Sequence, residues 1–413
     1  MKRKQLTALI CAAATMVSGA YVYAADGGSG SSSDPYGIST EADLLEIAFD
    51  PSAEYELLCD IEVSDTPSDI VFSGRLNGNG HRIEMNGSES LFSEVSGTVE
   101  DIGICGSAGN AGGLLADKLT GTVSRSVFEG SVTLSDAESG GAIAGTIEGG
   151  TVTDCRIDAS VNGTASNAGS IAGKVSDSTV TNCYITGEMS ASGAAAAAAI
   201  GTAENSDISG VYYDSRTSSV QYGIFVGSDT TVSVSESALM SAASYPELDF
   251  GTVWTIEEGS TEPMLISYSG AGTEAEPYRL HSFDDISNIL APTYTQGKHY
   301  RLENDIQNLI QLGGTDEAFS GSFDGNGHKL ISNGYGIFNT ISENGVVEDL
   351  VREISGSGRS FEIFGGIANI NYGTIRNCYV SGSAASQKDC GGIAGENIGG
   401  TVIGCRFDGS VRA

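Results

Sequence analysis

Only four histidines, His81, His281, His299 and His328, are available for metal or acid–base chemistry in this 413-residue chain. A zinc peptidase needs two histidines four apart on a helix with a glutamate between them. The four here lie far apart and form no such motif, which argues against a peptidase. His81 and His328 close two matching segments, Gly78-Asn79-Gly80-His81 and Gly325-Asn326-Gly327-His328. These read as tight, hairpin-like turns with the histidine stabilising the turn; a shared metal ligand is the alternative. Both segments resemble pieces of phosphate or Ca²⁺ loops, but they lack the lysine or the spaced carboxylates that such sites need.

Carboxylates are the opposite case, because 53 Asp+Glu make almost any acid pair available and so mark none. Asp60 matches Asp305, and Asp101 matches Asp349, in two similar stretches of chain. Repetition of a fold accounts for both matches without a site. No residue is therefore assigned a catalytic, cofactor-binding or metal-ligating role, and no cofactor is expected. Among the cysteines, Cys155/Cys183 and Cys378/Cys405 are 28 and 27 residues apart. Buried thiols acting as small apolar side chains fit that spacing, with a disulfide between stacked strands as the alternative.

The elements that carry these residues repeat at two scales, which has to be recognised before strands or helices are assigned. Asp34-Pro35-Tyr36 returns as Glu276-Pro277-Tyr278, Tyr55 to Ile61 as Tyr300 to Ile306, and Phe72 to His81 as Phe319 to His328, at offsets of 242, 245 and 247 residues. So small a drift indicates one domain present in two tandem copies. Within the first copy a Gly/Ser-x-hydrophobic start recurs at Val99, Val123, Val152, Val180 and Ile208, at steps of 24, 29, 28 and 28; in the second it recurs at Val347, Ile375 and Val402. The residues that follow alternate with the period of two expected of strands. Between them Gly141 to Gly145, Gly169 to Gly173 and Gly391 to Gly395 read as a second strand flanked by corner glycines. Position three after each start runs Ile102, Ser126, Cys155, Cys183, Val211, a small or apolar column suited to an interior.

A unit of about 28 residues with no helical period cannot bury an apolar face alone and must stack on its neighbours. The expected fold is all-β, a right-handed parallel β-helix (solenoid) in two tandem copies, each with a short N-terminal capping helix. The first lid is read at Thr40 to Ala48, where a capping signal precedes Leu44, Leu45 and Ile47. Residues 1–24 read as a signal peptide, with Lys2, Arg3 and Lys4 before an apolar stretch too short to cross a bilayer. Ile10 before Cys11 argues against lipidation. Residues 25–33 read as a Gly/Ser linker, 34–268 as the first β-helix domain with 212–268 as its closing segment, and 269–413 as a second β-helix domain. That second domain stops straight after a repeat unit and reads as incomplete. The leader holds three of the 20 Lys+Arg and none of the 53 Asp+Glu, which takes the net charge from −33 to −36 on cleavage. Nucleic acid and anionic membranes are poor partners for such a field.

With those motifs in place, the chain resembles the GLUG-repeat proteins of bacterial surfaces, a repeat family also found alongside M26-type IgA-cleaving metallopeptidases. Gly392-Ile393-Ala394-Gly395 carries the Gly-hydrophobic-hydrophobic-Gly core, and Phe319 to His328 its frequent companion; in the first copy Leu76 and Asn77 replace the Phe and Asp. The resemblance implies a secreted or cell-surface β-helix with no catalysis assigned to its repeats. Its expected function is a non-catalytic interaction or adhesion module binding an extracellular glycan or protein, as a monomer or within a larger surface assembly. The alternative is a carbohydrate-active β-helix enzyme, a polysaccharide lyase or glycoside hydrolase, which rests on fold analogy alone.

Overall fold

The computed structural model describes residues 27–412, except 88, 110, 111, 219, 221, 294, 310–317, 333–335 and 356–361. The signal-peptide reading of residues 1–24 therefore lies outside the described residues. The chain forms a parallel β-solenoid in two stacks, each turn contributing up to three short strands that pair with the same strands of the turns above and below.

In the first stack one ladder runs through Tyr36–Ile38, Glu54–Leu57, Arg75–Asn77, Thr98–Glu100, Thr122–Ser124, Thr151–Thr153 and the start of Thr179–Ile185. A second follows each corner, through Ile61–Val63, Arg82–Met85, Gly103–Gly109, Val127–Gly140 and Arg156–Ile157. The third runs from Val71–Phe72 through Phe92–Val95, Ala116–Leu119, Ala144–Glu148 and Ala172–Ser176 to Ile200–Glu204 and Ile224–Val226. The second stack repeats the plan, starting at Tyr278–Leu280, Ile306–Leu309 and Ala318–Phe319.

In-register stacking makes columns of like residues inside. Val99, Val123, Val152 and Val180 pair one above another and are fully buried. So are Ile102, Ser126, Cys155, Cys183 and Val211, the column read from sequence. Burial of each larger aliphatic side chain contributes about 1.5–3 kcal/mol. Ser126 is tolerated there because its hydroxyl donates to the Ser124 carbonyl at 2.8 Å. Cys155 and Cys183 are free thiols whose titration burial pushes well up in the case of Cys155. Each stack also carries an aromatic run near its start, Tyr36–Tyr55–Phe72–Phe92 and Tyr278–Tyr300–Phe319–Phe338, with centroids 4.5 to 6.3 Å apart.

The corner between the first and second strands of a turn needs a left-handed residue. Asp101, Arg125, Asp154 and Asn182 occupy it at φ 47 to 55°, Gly210 follows at φ 60°, and Asp349, Asn377 and Gly404 do the same in the second stack. Asn and Asp accept this region because their side chains bond locally. That explains the Asp101/Asp349 match by backbone geometry. Arg125 is the exception, and its guanidinium bonds Asp101 and Glu100 of the turn below at 2.7–2.8 Å. Asn377→Val is expected to cost about 1–2 kcal/mol, and Asn377→Gly a few tenths. Urea unfolding midpoints of the two variants check this; equal midpoints would remove the strain argument.

Several expectations are corrected. The Gly-Asn-Gly-His turns do close, with His81 N–H to the Gly78 carbonyl at 2.8 Å and His328 N–H to Gly325 at 2.7 Å. Yet they join strands of different ladders, so no hairpin forms. The glycine-flanked segments are corners, and the strands begin at Ala144, Ala172 and Ala394 and run past the last glycine. Residues 27–33 of the expected linker belong to the fold, because Ser29 N–H bonds the Asp34 carbonyl and Gly30 accepts from Glu54 N–H. The same turn recurs where Ala271 and Thr273 N–H bond Glu276.

Short helices follow the first strand of each stack. Glu41–Leu45 starts at Thr40 with a reciprocal cap to Asp43, and Phe283–Asp285 starts at Ser282 with the same cap to Asp285 before a π-helical turn at Ile286–Leu290. Ala194 to Ala199 replace a glycine-cornered segment as a tight turn of the solenoid, with Ala197 to Ala199 buried.

Candidate functional site

The segment read as closing the end of the first stack does something else. Its first part continues the ladders, through Asp207–Asp214, Ile224–Val226 and Val232–Val234. Its remainder descends the outer flank turn by turn. Tyr212 donates to Glu247 at 2.9 Å, and Tyr245 packs edge-on between Tyr184 and Tyr212 at 5.3 and 5.2 Å. Trp254 is fully buried with its indole N–H 3.4 Å from Asp154, and Arg156 reaches the Pro263 carbonyl at 3.3 Å. Ser267 then meets the Arg125 carbonyl. The reason is apolar surface: Val127, Tyr184 and Tyr212 face outward and need a cover.

This strap returns the chain to the N-terminal turns, so the second stack starts beside the first. Tyr268 lies over Gly103, where a Cβ would stand 2.5 Å from its ring. Arg279 donates to the Ser267 carbonyl at 2.9 Å and to the Asn79 carbonyl at 3.3 Å. Asp60 holds the junction, receiving His81 at 3.1 Å, His281 at 2.8 Å and the Asn304 amide at 2.7 Å. Burial alone would raise the Asp60 carboxyl, but the two histidines outweigh it and hold it well below the usual range. Burial lowers and the Asp60 hydrogen bond raises His281, whose net shift is upward.

The structure thus brings two of the four histidines onto one carboxylate. His328 faces Asp305 at 3.5 Å and His299 bonds Ser322 at 2.7 Å, each within the second stack. Among the described residues, no group of three or more His, Cys, Asp or Glu is placed to hold a metal ion.

Between the first stack, the strap and the first helix of the second stack lies a cleft of about 980 Å³. Its floor is the outward face of the second ladder, where Glu84, Cys105 and Glu129 pair in register on successive turns. Asp158 continues the column, following Ile157, the partner of Phe128. Neighbouring strands lie about 4.8 Å apart, so carboxylates stacked there repel. Arg82 lies across them, 2.7 Å from Glu84 and 3.7 Å from Glu129, while Arg156 bonds Asp158 at 3.0 Å. The Cys105 thiol is 3.0 Å from Glu129 and positioned to donate to it. Burial, then Asp285 and Asp158, push the Glu129 carboxyl up to about 7. A shifted acid in a cleft is the arrangement functional sites share. Sequence reading missed it because Glu129 is one acid among 53. The legible signal was the outward tyrosines and Gly103, which mark a covered flank.

A 212-residue stretch is 28% identical to Halomucin of Haloquadratum walsbyi, covering 46% of this chain and 2% of that protein. The chain thus spans a small fraction of the relative it matches. No protein-family model matches the chain, and no solved structure does. Among the described residues, no helix is long and apolar enough to cross a membrane.

Proposed function

We propose that the chain is a secreted or cell-surface interaction module of a bacterium, without chemistry of its own. It is built as two tandem copies of one right-handed β-helix unit, each opened by a hydrogen-bonded turn and lidded by a short helix. The GLUG-type motifs, the leader-like first residues and the acidic surface support this reading.

The observation that carries it is a column of hydroxyls on the first ladder. Thr98, Thr122, Thr151 and Thr179 pair in register on four successive turns, each partly exposed. A row repeating at about 4.8 Å presents many weak, equivalent hydrogen bonds to an extended glycan or protein ligand.

Arrays of glycans and host proteins probed with the mature chain, with and without Ca²⁺, should retain a ligand and release no cleaved polysaccharide. Single Thr→Val changes at 122 or 151 should then weaken binding only about two- to tenfold each, in line with one modest hydrogen bond lost per site. Oligosaccharide released into the supernatant would replace this reading with a carbohydrate-active enzyme. Glu129 and Asp158 would then be the first acids to replace.

A further inference from the structure

The cleft beside the strap has a chemistry that the hydroxyl column does not share. Six carboxylates line it, those of Glu84, Glu129, Asp158, Glu262, Asp284 and Asp285, against the guanidinium groups of Arg82 and Arg156 alone. Most of these acids have partners already. Glu84 holds Arg82, Asp158 holds Arg156, Glu262 accepts the Tyr184 hydroxyl at 2.8 Å, and Asp285 caps its helix. Asp284 is exposed to solvent. Of the other five, Glu129 is the most weakly paired, sharing Arg82 at 3.7 Å and facing the Cys105 thiol at 3.0 Å, with 28% of its side chain open to the cleft.

An acidic lining alone would mean little in a chain of net charge −33. A second feature points to a ligand. Tyr268 lines the same cleft and is only 2% exposed, yet its hydroxyl has no hydrogen-bond partner among the described residues. Its ring is fixed by stacking on His281 at 4.5 Å, with Glu129, Cys105 and Arg82 as its charged or polar neighbours. Burial raises its titration well above the ordinary tyrosine range, so the group stays a neutral phenol. A buried hydroxyl left without a partner is destabilising, and a bound donor would remove that cost. The rest of the wall includes Met240, Met264, Ile289 and Pro292, surface suited to methylene groups.

We propose that this cleft binds an aliphatic primary amine, with the ammonium donating to Glu129 and to the Tyr268 phenol oxygen and the carbon chain lying along the methionine wall. An ammonium matches the site in charge and in hydrogen-bond sense, because it carries three donors and no acceptor. It also relieves the repulsion among Glu129, Asp158 and Asp285. A neutral polyol would do only the hydrogen bonding, and an anion would face the excess of carboxylates.

The test is calorimetric titration of the mature chain with 1,5-diaminopentane and spermidine, at pH 8 and moderate salt, with 1,5-pentanediol as the uncharged comparison. One saturable site for the amines and none for the diol is expected. Glu129→Gln removes the charge at constant shape and should weaken binding about tenfold or more, the loss expected for one charge-assisted hydrogen bond. Tyr268→Phe deletes only the unpartnered hydroxyl, so the fold is retained and a smaller loss is expected. Glu148→Gln, on an exposed pair with Lys118 elsewhere on the solenoid, should change nothing. Affinity should rise about tenfold from pH 6 to pH 8 as Glu129 ionises, since the amine itself stays charged to about pH 10. Arg82, Cys105, Asp158, Asp285 and Tyr268 are the groups that set this titration, together with Glu84. No saturable heat with either amine would overturn the proposal. Equal weakening by Glu129→Gln and Glu148→Gln would also overturn it, by reducing the effect to diffuse attraction.

Discussion

Replacing Asp60 with alanine is expected to loosen the second stack from the flank of the first, at a cost of about 3–5 kcal/mol, because it strips a buried histidine of its charged partner. His281 is 2% exposed and its Nδ1 bonds Asp60, while Asn304 and His81 bond the same carboxylate. Both stacks keep their own ladders in the variant. Hydrogen exchange should therefore quicken at residues 278–304 and around 78–82, with the interior columns of the first stack unchanged. Unaltered protection at both places would mean that the strap alone holds the stacks together.

The same junction sets a pH dependence. His281 is raised in the folded state, so its contribution is fully present below about pH 6.5 and is lost as pH rises through the raised value. Asp60 is depressed, so its contribution is present above about pH 4 and is lost only as pH falls through its lowered value. The stabilisation from docking is thus greatest between about pH 4 and 6.5. His81, Arg82 and Asp285 are the other charged or titratable groups that face the pair. The stability difference between wild type and Asp60→Ala should shrink from pH 5.5 to pH 8.5. A difference independent of pH would show that His281 does not change protonation across that range.

Trp254→Ala is the second large effect expected, about 3–5 kcal/mol for a fully buried aromatic side chain. Trp254 sits in the cluster of Tyr184, Tyr212, Tyr245 and Leu265 that fastens the strap. Deleting it should free residues 236–268 while leaving the ladders paired. Protease nicking within that stretch, with the far-ultraviolet β signal retained, checks the result. Global unfolding at the same denaturant concentration would instead make the strap an integral part of the first stack's core.

How much could be read in advance differs by element. The 28-residue step placed Cys155 under Cys183 and Val152 under Val180, because a period of two within a strand and a fixed rise between turns leave little freedom. The short helices that start at Thr40 and Ser282 follow from local capping chemistry, and the helix at Thr40 was legible in the sequence. Glycine-rich runs misled in both directions. Gly145 and Gly173 lie inside strands, where they permit close stacking, and Gly28 to Gly30 belong to a turn that its repeat at Gly270 to Gly272 would have revealed.

The sequence by itself determined the strand period, the length of each turn, the interior columns and the matching of two similar halves. All of these depend on local pattern repeated along the chain. Only the tertiary structure decided where the second half lies, and with it the cleft and the partners of Glu129. The Asp60–His281 contact spans 221 residues, and no periodicity reaches across an irregular strap. The path of that strap follows from covering outward tyrosines on turns already stacked. The cleft is a consequence of two folded surfaces meeting, which no single segment of sequence encodes.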